Sequence, residues 1–134
     1  MNAAEFRFLS VEDVLELHEM QLESYGGATG IRASDLLESA VMMPQASFGG
    51  QFVHADVFTM AAAYAFHIAE NQPFVDGNKR TALAAALVFL DWQNFEIEDP
   101  DDELYDSMID LALKKIDKNG LARLFRKLAK PLQE

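Results

Sequence analysis

The stretch Asn71-Gln-Pro-Phe-Val-Asp-Gly-Asn-Lys-Arg80 separates two segments, residues 57–69 and 81–90, that contain no Asp, Glu, Lys or Arg. The first segment is apolar nearly all round, which is typical of a helix enclosed by other helices. The second segment is rich in Ala and Leu, which favour helix formation. Pro73 ends the first helix, and the second begins near Asn78. Because no convincing sheet pattern accompanies them, the sequence predicts an all-α protein.

The remaining segments predict further helices and one short hairpin. Apolar periodicity and helix-breaking residues define the predicted helices, which cover residues 11–24, 34–43, 56–71, 78–92, 104–116 and 121–128. The first helix begins with a capping box in which Asp13 replaces the usual Glu or Gln opposite Ser10. Two glycines between short apolar runs suggest a small β-hairpin in residues 45–55. The acidic run 96–106 is interpreted as a loop followed by a helix start.

Length and composition indicate one folded domain over residues 1–134, arranged as a compact helical bundle. The net charge of −11 argues against general nucleic-acid binding, because phosphate contacts need a basic surface. The chain has no cysteine, so it has neither disulfides nor thiolate metal sites. The N-terminus lacks the order of a signal peptide, and the apolar segments are shorter than the roughly 20 residues that cross a bilayer. We therefore expect a cytoplasmic protein without a membrane partner.

The loop between the two apolar helices combines features of a nucleotide-phosphate site. A helix N-terminus offers unpaired N–H groups and a partial positive charge, and Lys79 and Arg80 add two cations beside it. Gly77 allows a ligand to approach the backbone, and Asn78 can cap the helix or bind a phosphate oxygen. A carboxylate at Asp76 suits Mg²⁺, which binds one or two carboxylates together with substrate phosphates. The loop thus predicts a Mg-nucleotide site.

This loop resembles the signature of the Fic/Doc family, His-x-Phe-x-Asp/Glu-Gly/Ala-Asn-Gly/Lys-Arg. The chain has Gln72-Pro-Phe-Val-Asp-Gly-Asn-Lys-Arg80 at the corresponding place. The similarity extends over about residues 10–95 and is greatest to the Doc ("death on curing") branch. The flanking matches are Leu17-His-Glu, Tyr25-Gly-Gly, Gly30-Ile-Arg, Leu36-Leu-Glu-Ser-Ala and Lys79-Arg-Thr-Ala-Leu.

The resemblance implies a helical fold, ATP or another nucleotide with Mg²⁺ as cofactors, and transfer of part of the nucleotide onto a protein hydroxyl. Asp76 would hold the metal, the three residues after Gly77 would hold the phosphates, and Phe74 would anchor the loop in the core. Lys79 is the Doc-like choice and implies a kinase acting on elongation factor Tu. Gly77 is the Fic-like choice and leaves AMP transfer open. The hairpin in residues 45–55 would be the flap that aligns the target segment.

The chain departs from the family pattern at Gln72, where the family has its catalytic His. An amide has no useful basicity, so catalysis is expected to be weakened or absent, which leaves a nucleotide- or antitoxin-binding module as the alternative to a toxin enzyme. His18, His54 and His67 are the chain's histidines, and His67 is expected to point away from the loop. Because the family's internal inhibitory motif is absent from the sequence, an antitoxin is expected as a separate partner chain.

Overall fold

The computed structural model describes residues 6–132, and within this part of the chain six α-helices surround a single core. The helices are α1 (Val11–Tyr25), α2 (Ser34–Met42), α3 (Val57–Asn71), α4 (Asn78–Trp92), α5 (Glu103–Ala112) and α6 (Lys118–Leu128). The strands are β1 (Ser47–Phe48), β2 (Gln51–Phe52), β3 (Phe95–Ile97) and β4 (Ala129–Pro131), and a 3₁₀ turn, Met43–Gln45, follows α2. Residues 1–5, from which the signal-peptide argument was made, and the far end of the predicted domain at residues 133–134 lie outside the described residues.

Helix α3 is the centre of the bundle and packs against α4, α2 and α6. All residues from Met60 to Ala65 are buried, together with Ile68, so the helix is enclosed on every side as its sequence predicts. Helix α4 buries Ala82, Ala85 and Phe89 against it, and the residues between them are at least half-buried. Because these two helices are fixed in the core, the loop that joins them has a rigid base at both ends.

Capping residues in the local sequence determine where α1 and α3 begin. The Ser10 hydroxyl accepts a hydrogen bond from the N–H of Asp13 (3.1 Å), and the Asp13 carboxylate accepts one from the N–H of Ser10 (2.8 Å), which confirms the predicted capping box. Asp56 and Thr59 form a second capping box at the start of α3. Each box satisfies two N–H groups that a helix start otherwise leaves without a partner.

The predicted hairpin is present and antiparallel, with Ser47 opposite Phe52 and Phe48 opposite Gln51. Gly49 and Gly50 form its two-residue turn with φ of 60° and 81°, the left-handed values that a type I′ turn requires. Phe48 is 86% exposed, so the hairpin places a large apolar side chain in solvent.

A second antiparallel pair, β3 with β4, was not predicted from the sequence. It joins residues that follow α4 to residues that follow α6, and such long-range pairing leaves no local pattern in an acidic segment. Two helix boundaries were also wrong. Helix α5 ends four residues earlier than predicted, since Lys114 adopts a left-handed φ of 64°. Helix α6 begins three residues earlier, because Asp117 caps it by accepting from the N–H of Gly120 (2.7 Å).

Among the described residues, no helix is both long enough and apolar enough to cross a membrane.

Candidate functional site

The loop between α3 and α4 begins with Gln72 in a left-handed conformation, φ 45°, which turns the chain sharply at the end of α3. Arg32 fixes this turn: its Nε donates to the carbonyl of Gln72 (2.7 Å) and its Nη2 donates to that of Asn71 (2.8 Å). The N–H groups of Arg32 and Ala33 both donate to the carbonyl of Pro73. The backbone at position 72 is therefore held from outside the loop, without help from the Gln72 side chain.

The side chain of Asn78 forms two hydrogen bonds within the loop. Its side-chain oxygen accepts from the N–H of Phe74 (3.0 Å), and its side-chain NH₂ donates to the carbonyl of the same residue (3.0 Å). The residue at the N-cap of α4 is Gly77, with φ 76°, so Asn78 does not fill the capping role, which was one of the two roles that the sequence allowed it. Its side chain is used to close the loop, and its backbone N–H belongs to the first turn of α4, which has no side-chain cap.

Phe74 anchors the loop in the core, as expected from the sequence. Its ring is 1% exposed and stacks on the imidazole of His18, with ring centres 3.8 Å apart and planes 7° from parallel. Nε2 of His18 donates to the backbone carbonyl of Asp76 (2.8 Å). His18 thus contacts the loop at two residues, Phe74 and Asp76. The second of these carries the predicted metal-binding carboxylate.

The Asp76 carboxylate is oriented by two backbone donors. The N–H of Gly77 donates to Oδ1 (2.9 Å), and the N–H of Ala28 donates to Oδ2 (3.1 Å). Each oxygen accepts one bond, so each keeps a further lone pair for a cation. The side chain is exposed and lines the same cavity as the cations that follow it.

The first turn of α4 has no side-chain cap, so its N–H groups are available to an anion. Lys79, in this turn, is exposed. Arg80 is half-buried, and its guanidinium lies over the rings of Tyr25 (3.7 Å to the centre) and Tyr105 (4.4 Å). The site therefore combines helix N–H groups, two cations and one carboxylate.

A cavity of about 580 Å³ brings these groups together. Its lining includes every site residue predicted from the sequence: Gln72, Asp76, Gly77, Asn78, Lys79 and Arg80. The volume is in the range of small-molecule and cofactor pockets. The donor set fits a Mg-nucleotide, because a carboxylate with spare lone pairs stands beside an uncapped helix start and two cations.

None of the three histidines lines the cavity. His18 contacts the loop at Phe74 and Asp76, as described above. Nε2 of His67 and Nε2 of His54 both lie near the Nζ of Lys118, at 3.1 and 3.0 Å, so these two imidazoles belong to a different cluster between α3 and α6. Burial, together with the charges of Lys118 and His54, lowers the pKa of His67 to about 4. The expectation that His67 points away from the loop agrees with these contacts.

Four residues that support the site were not assigned a role from the sequence: His18, Tyr25, Arg32 and Tyr105. The first three lie within flanking segments that match the family, and that match was the available signal. Tyr105 lies in the acidic segment, and nothing in the sequence connects it with Arg80. Its contact exists because α5 packs against α4.

Comparison with known proteins identifies the family of this chain. The family model described as Fic/DOC family matches residues 8–90. The chain is 31% identical over 122 residues to a protein of Escherichia phage P1 named protein kinase doc, covering 91% of this chain and 95% of that protein. It is 36% identical over 117 residues to toxin Doc of Mycolicibacterium smegmatis (strain ATCC 700084 / mc(2)155), covering 86% and 88%. The chain belongs to the Fic/DOC family.

Proposed function

We propose that this chain is a Doc-like toxin that binds ATP and Mg²⁺ and transfers phosphate to a protein hydroxyl, with the transfer step weakened by Gln72. The observation that supports this most directly is the meeting of Asp76, Lys79 and Arg80 at the uncapped start of α4, on one cavity. Phosphoryl transfer needs mainly positioning and charge stabilisation, and these groups supply both.

Each group has a proposed part. Asp76 holds the metal through the lone pairs that its two backbone donors leave. The first N–H groups of α4, with Lys79 and Arg80, hold the phosphates, and Arg80 offers paired donors that suit phosphate geometry. Mg²⁺, when bound, offsets negative charge on the phosphates and on the departing nucleotide.

Lys79 favours phosphoryl transfer over AMP transfer, because Fic enzymes have Gly at that position and one relative of this chain is named a protein kinase. Gly77 is the specific feature that favours the second candidate, an AMP transferase. A third candidate, a binding module without transfer activity, is favoured by Gln72. A positioned general base contributes about 10²–10⁴ in rate, and an amide cannot take that part.

The proposed target is elongation factor Tu, and the proposed place of action is the cytoplasm. The hairpin β1–β2 would align the target segment beside the cavity. Its strands are paired with each other alone among the described residues, so their outer edges remain for an extended peptide. An antitoxin is proposed as the partner that restrains the active form.

The test is a comparison of this chain with its Gln72→His variant, using ATP labelled at the γ or α phosphate and elongation factor Tu. We expect Gln72→His to raise transfer by about 10²-fold or more while nucleotide affinity changes little. Label transferred from the γ position alone identifies a kinase, and label from the α position identifies AMP transfer.

The control is Arg80→Ala in the Gln72→His background, which should lose both nucleotide binding and transfer. If Gln72→His binds nucleotide but modifies nothing, the kinase proposal is wrong and the binding module is favoured. The antitoxin proposal is tested separately: Gln72→His should be toxic to cells alone and harmless with the product of the neighbouring small gene. Harmlessness of that variant without any partner counts against it.

A further inference from the structure

The segment Tyr25 to Ala28, which ends α1 and forms the turn after it (the α1 turn), contacts both charged halves of the site although it lies some fifty residues from the loop in sequence. At its far end, the N–H of Ala28 donates to Oδ2 of Asp76 (3.1 Å). At its near end, the ring of Tyr25 lies under the guanidinium of Arg80 (3.7 Å). One short segment therefore touches the proposed metal ligand and one of the proposed phosphate ligands.

Gly27 lies at the tightest point of this contact. Its φ is 125°, and a Cβ placed on it would stand 2.9 Å from Oδ2 of Asp76 and 3.0 Å from a methyl of Leu22. The first distance is shorter than real Cβ contacts and the second is tighter than nearly all of them, and the nearest atom belongs to the carboxylate itself. The absence of a side chain at position 27 is what allows Asp76 to reach the N–H of Ala28.

The geometry points to the α1 turn as a positioning element of the metal site, in which Gly27 and Ala28 set the orientation of the Asp76 carboxylate. This inference rests on the proposed function, because it assumes that Asp76 holds Mg²⁺ beside a nucleotide. Groups that orient a metal ligand typically change metal affinity by about 10–100-fold when they are altered. The turn would act through Asp76, without contact to the metal.

The neighbouring glycine provides a matched control. Gly26 also has a positive φ, 80°, but a Cβ there would meet no atom within 4 Å. Gly26→Ala therefore imposes backbone strain on the same turn without pushing the carboxylate, whereas Gly27→Ala does both. The difference between the two variants isolates the displacement of Asp76.

The experiment measures ATP affinity by calorimetry, once with Mg²⁺ and once with EDTA, in the unchanged chain and in both variants. We expect Gly27→Ala to lose about 10-fold or more of the affinity that Mg²⁺ adds, with affinity in EDTA unchanged. Gly26→Ala adds a methyl group to the cavity lining without touching Asp76, so it should keep the part of the affinity that Mg²⁺ adds. Ala28→Pro, which removes the N–H that binds Oδ2, should behave as Gly27→Ala and provides a second variant if that one fails to fold.

The outcomes distinguish a failure of the proposed function from a failure of the positioning role of the turn. If ATP binding by the unchanged chain does not depend on Mg²⁺, the proposed function is wrong at this site. If the unchanged chain shows the dependence and folded Gly27→Ala and Ala28→Pro show it equally, the positioning role of the turn is refuted. Equal losses in Gly26→Ala and Gly27→Ala also refute it, since backbone strain alone would then explain the effect.

Discussion

Arg80 is the site residue whose guanidinium makes cation–π contacts with two aromatic rings. Its guanidinium lies over Tyr25 and Tyr105, and within residues 6–132 it forms no ion pair with a carboxylate. Stacking uses the faces of the guanidinium and leaves its N–H edges for an anion. The two rings thus restrict the side chain without neutralising it, which suits a group that must meet phosphate.

We expect Tyr25→Leu to weaken ATP binding about 2–5-fold, the effect of losing a cation–π contact of about 0.5–1 kcal/mol. Tyr25→Phe keeps the ring and should bind nearly as the unchanged chain does. Calorimetry with ATP and Mg²⁺ gives both values. Equal weakening in the two variants would show that the hydroxyl of Tyr25 matters instead of the stacking.

At the scale of elements, the hairpin β1–β2 contributes no residue to the lining of the cavity, and its shape depends on its own turn. Gly49 and Gly50 both have positive φ, and a side chain at either would meet no atom within 4 Å. The conformation of the turn is therefore limited by backbone preference and not by space. Asn tolerates a left-handed φ, whereas a β-branched residue does not.

Gly49→Val should consequently disturb the hairpin, and Gly49→Asn should preserve it. In the Gln72→His background, we expect Gly49→Val to reduce transfer to the protein target several-fold while ATP affinity stays unchanged, because the flap is proposed to align the target. Gly49→Asn should keep both properties. The prediction fails if the Val variant transfers phosphate as well as the Asn variant, or if it loses ATP affinity as well.

At the scale of the whole molecule, three elements meet at the Nζ of Lys118. This amine donates to Nε2 of His54, in the segment before α3, and to Nε2 of His67, on α3. Both imidazoles accept at Nε2, so both are neutral there. Burial lowers the pKa of His54 and of Lys118, and it lowers the pKa of His67 to about 4. Glu70 nearby opposes the shift at His67.

This cluster predicts a loss of stability in mild acid. The pKa of His67 is 6.5 in the unfolded chain and about 4 in the folded protein. Between these two pH values the unfolded state therefore holds more protons than the folded state. The contribution to stability is complete above the unfolded pKa and is lost as the pH falls towards the folded one. The loss at about pH 5 is on the order of 1 kcal/mol, allowing for solvent screening of a half-buried group.

Melting temperatures at about pH 7.5 and about pH 5 measure this loss. His67→Gln keeps an acceptor for Lys118 but cannot titrate, so its melting temperature should fall less than that of the unchanged chain. Ionisable groups outside this cluster are shared by the two proteins and cancel in the comparison. An identical fall in both proteins would show that the cluster does not contribute.

The sequence predicted the helices and the cavity residues because both depend on local patterns. Apolar periodicity placed α3 and α4, and the loop between them carries its own signature, in which glycine, paired cations and a carboxylate adjoin one helix start. The β3–β4 pair and the contact of Tyr105 with Arg80 could not be predicted, since each depends on how distant elements pack. The bonds of the Asn78 side chain to Phe74 were not foreseen either, because an amide can serve a helix cap, a phosphate or a loop equally well.

The hydrogen bonds from Arg32 to the backbone at positions 71 and 72 affect which mutations the protein can tolerate at position 72. The turn is held through backbone carbonyls, so the side chain at this position contributes little to the shape of the loop. Codons for Gln and His differ only in their third base, and both side chains fit an exposed position. If the proposed function holds, a single base change switches the chemistry while the folded protein, its nucleotide site and its partner surface persist. A lineage can then keep a harmless copy that is one mutation from an active one.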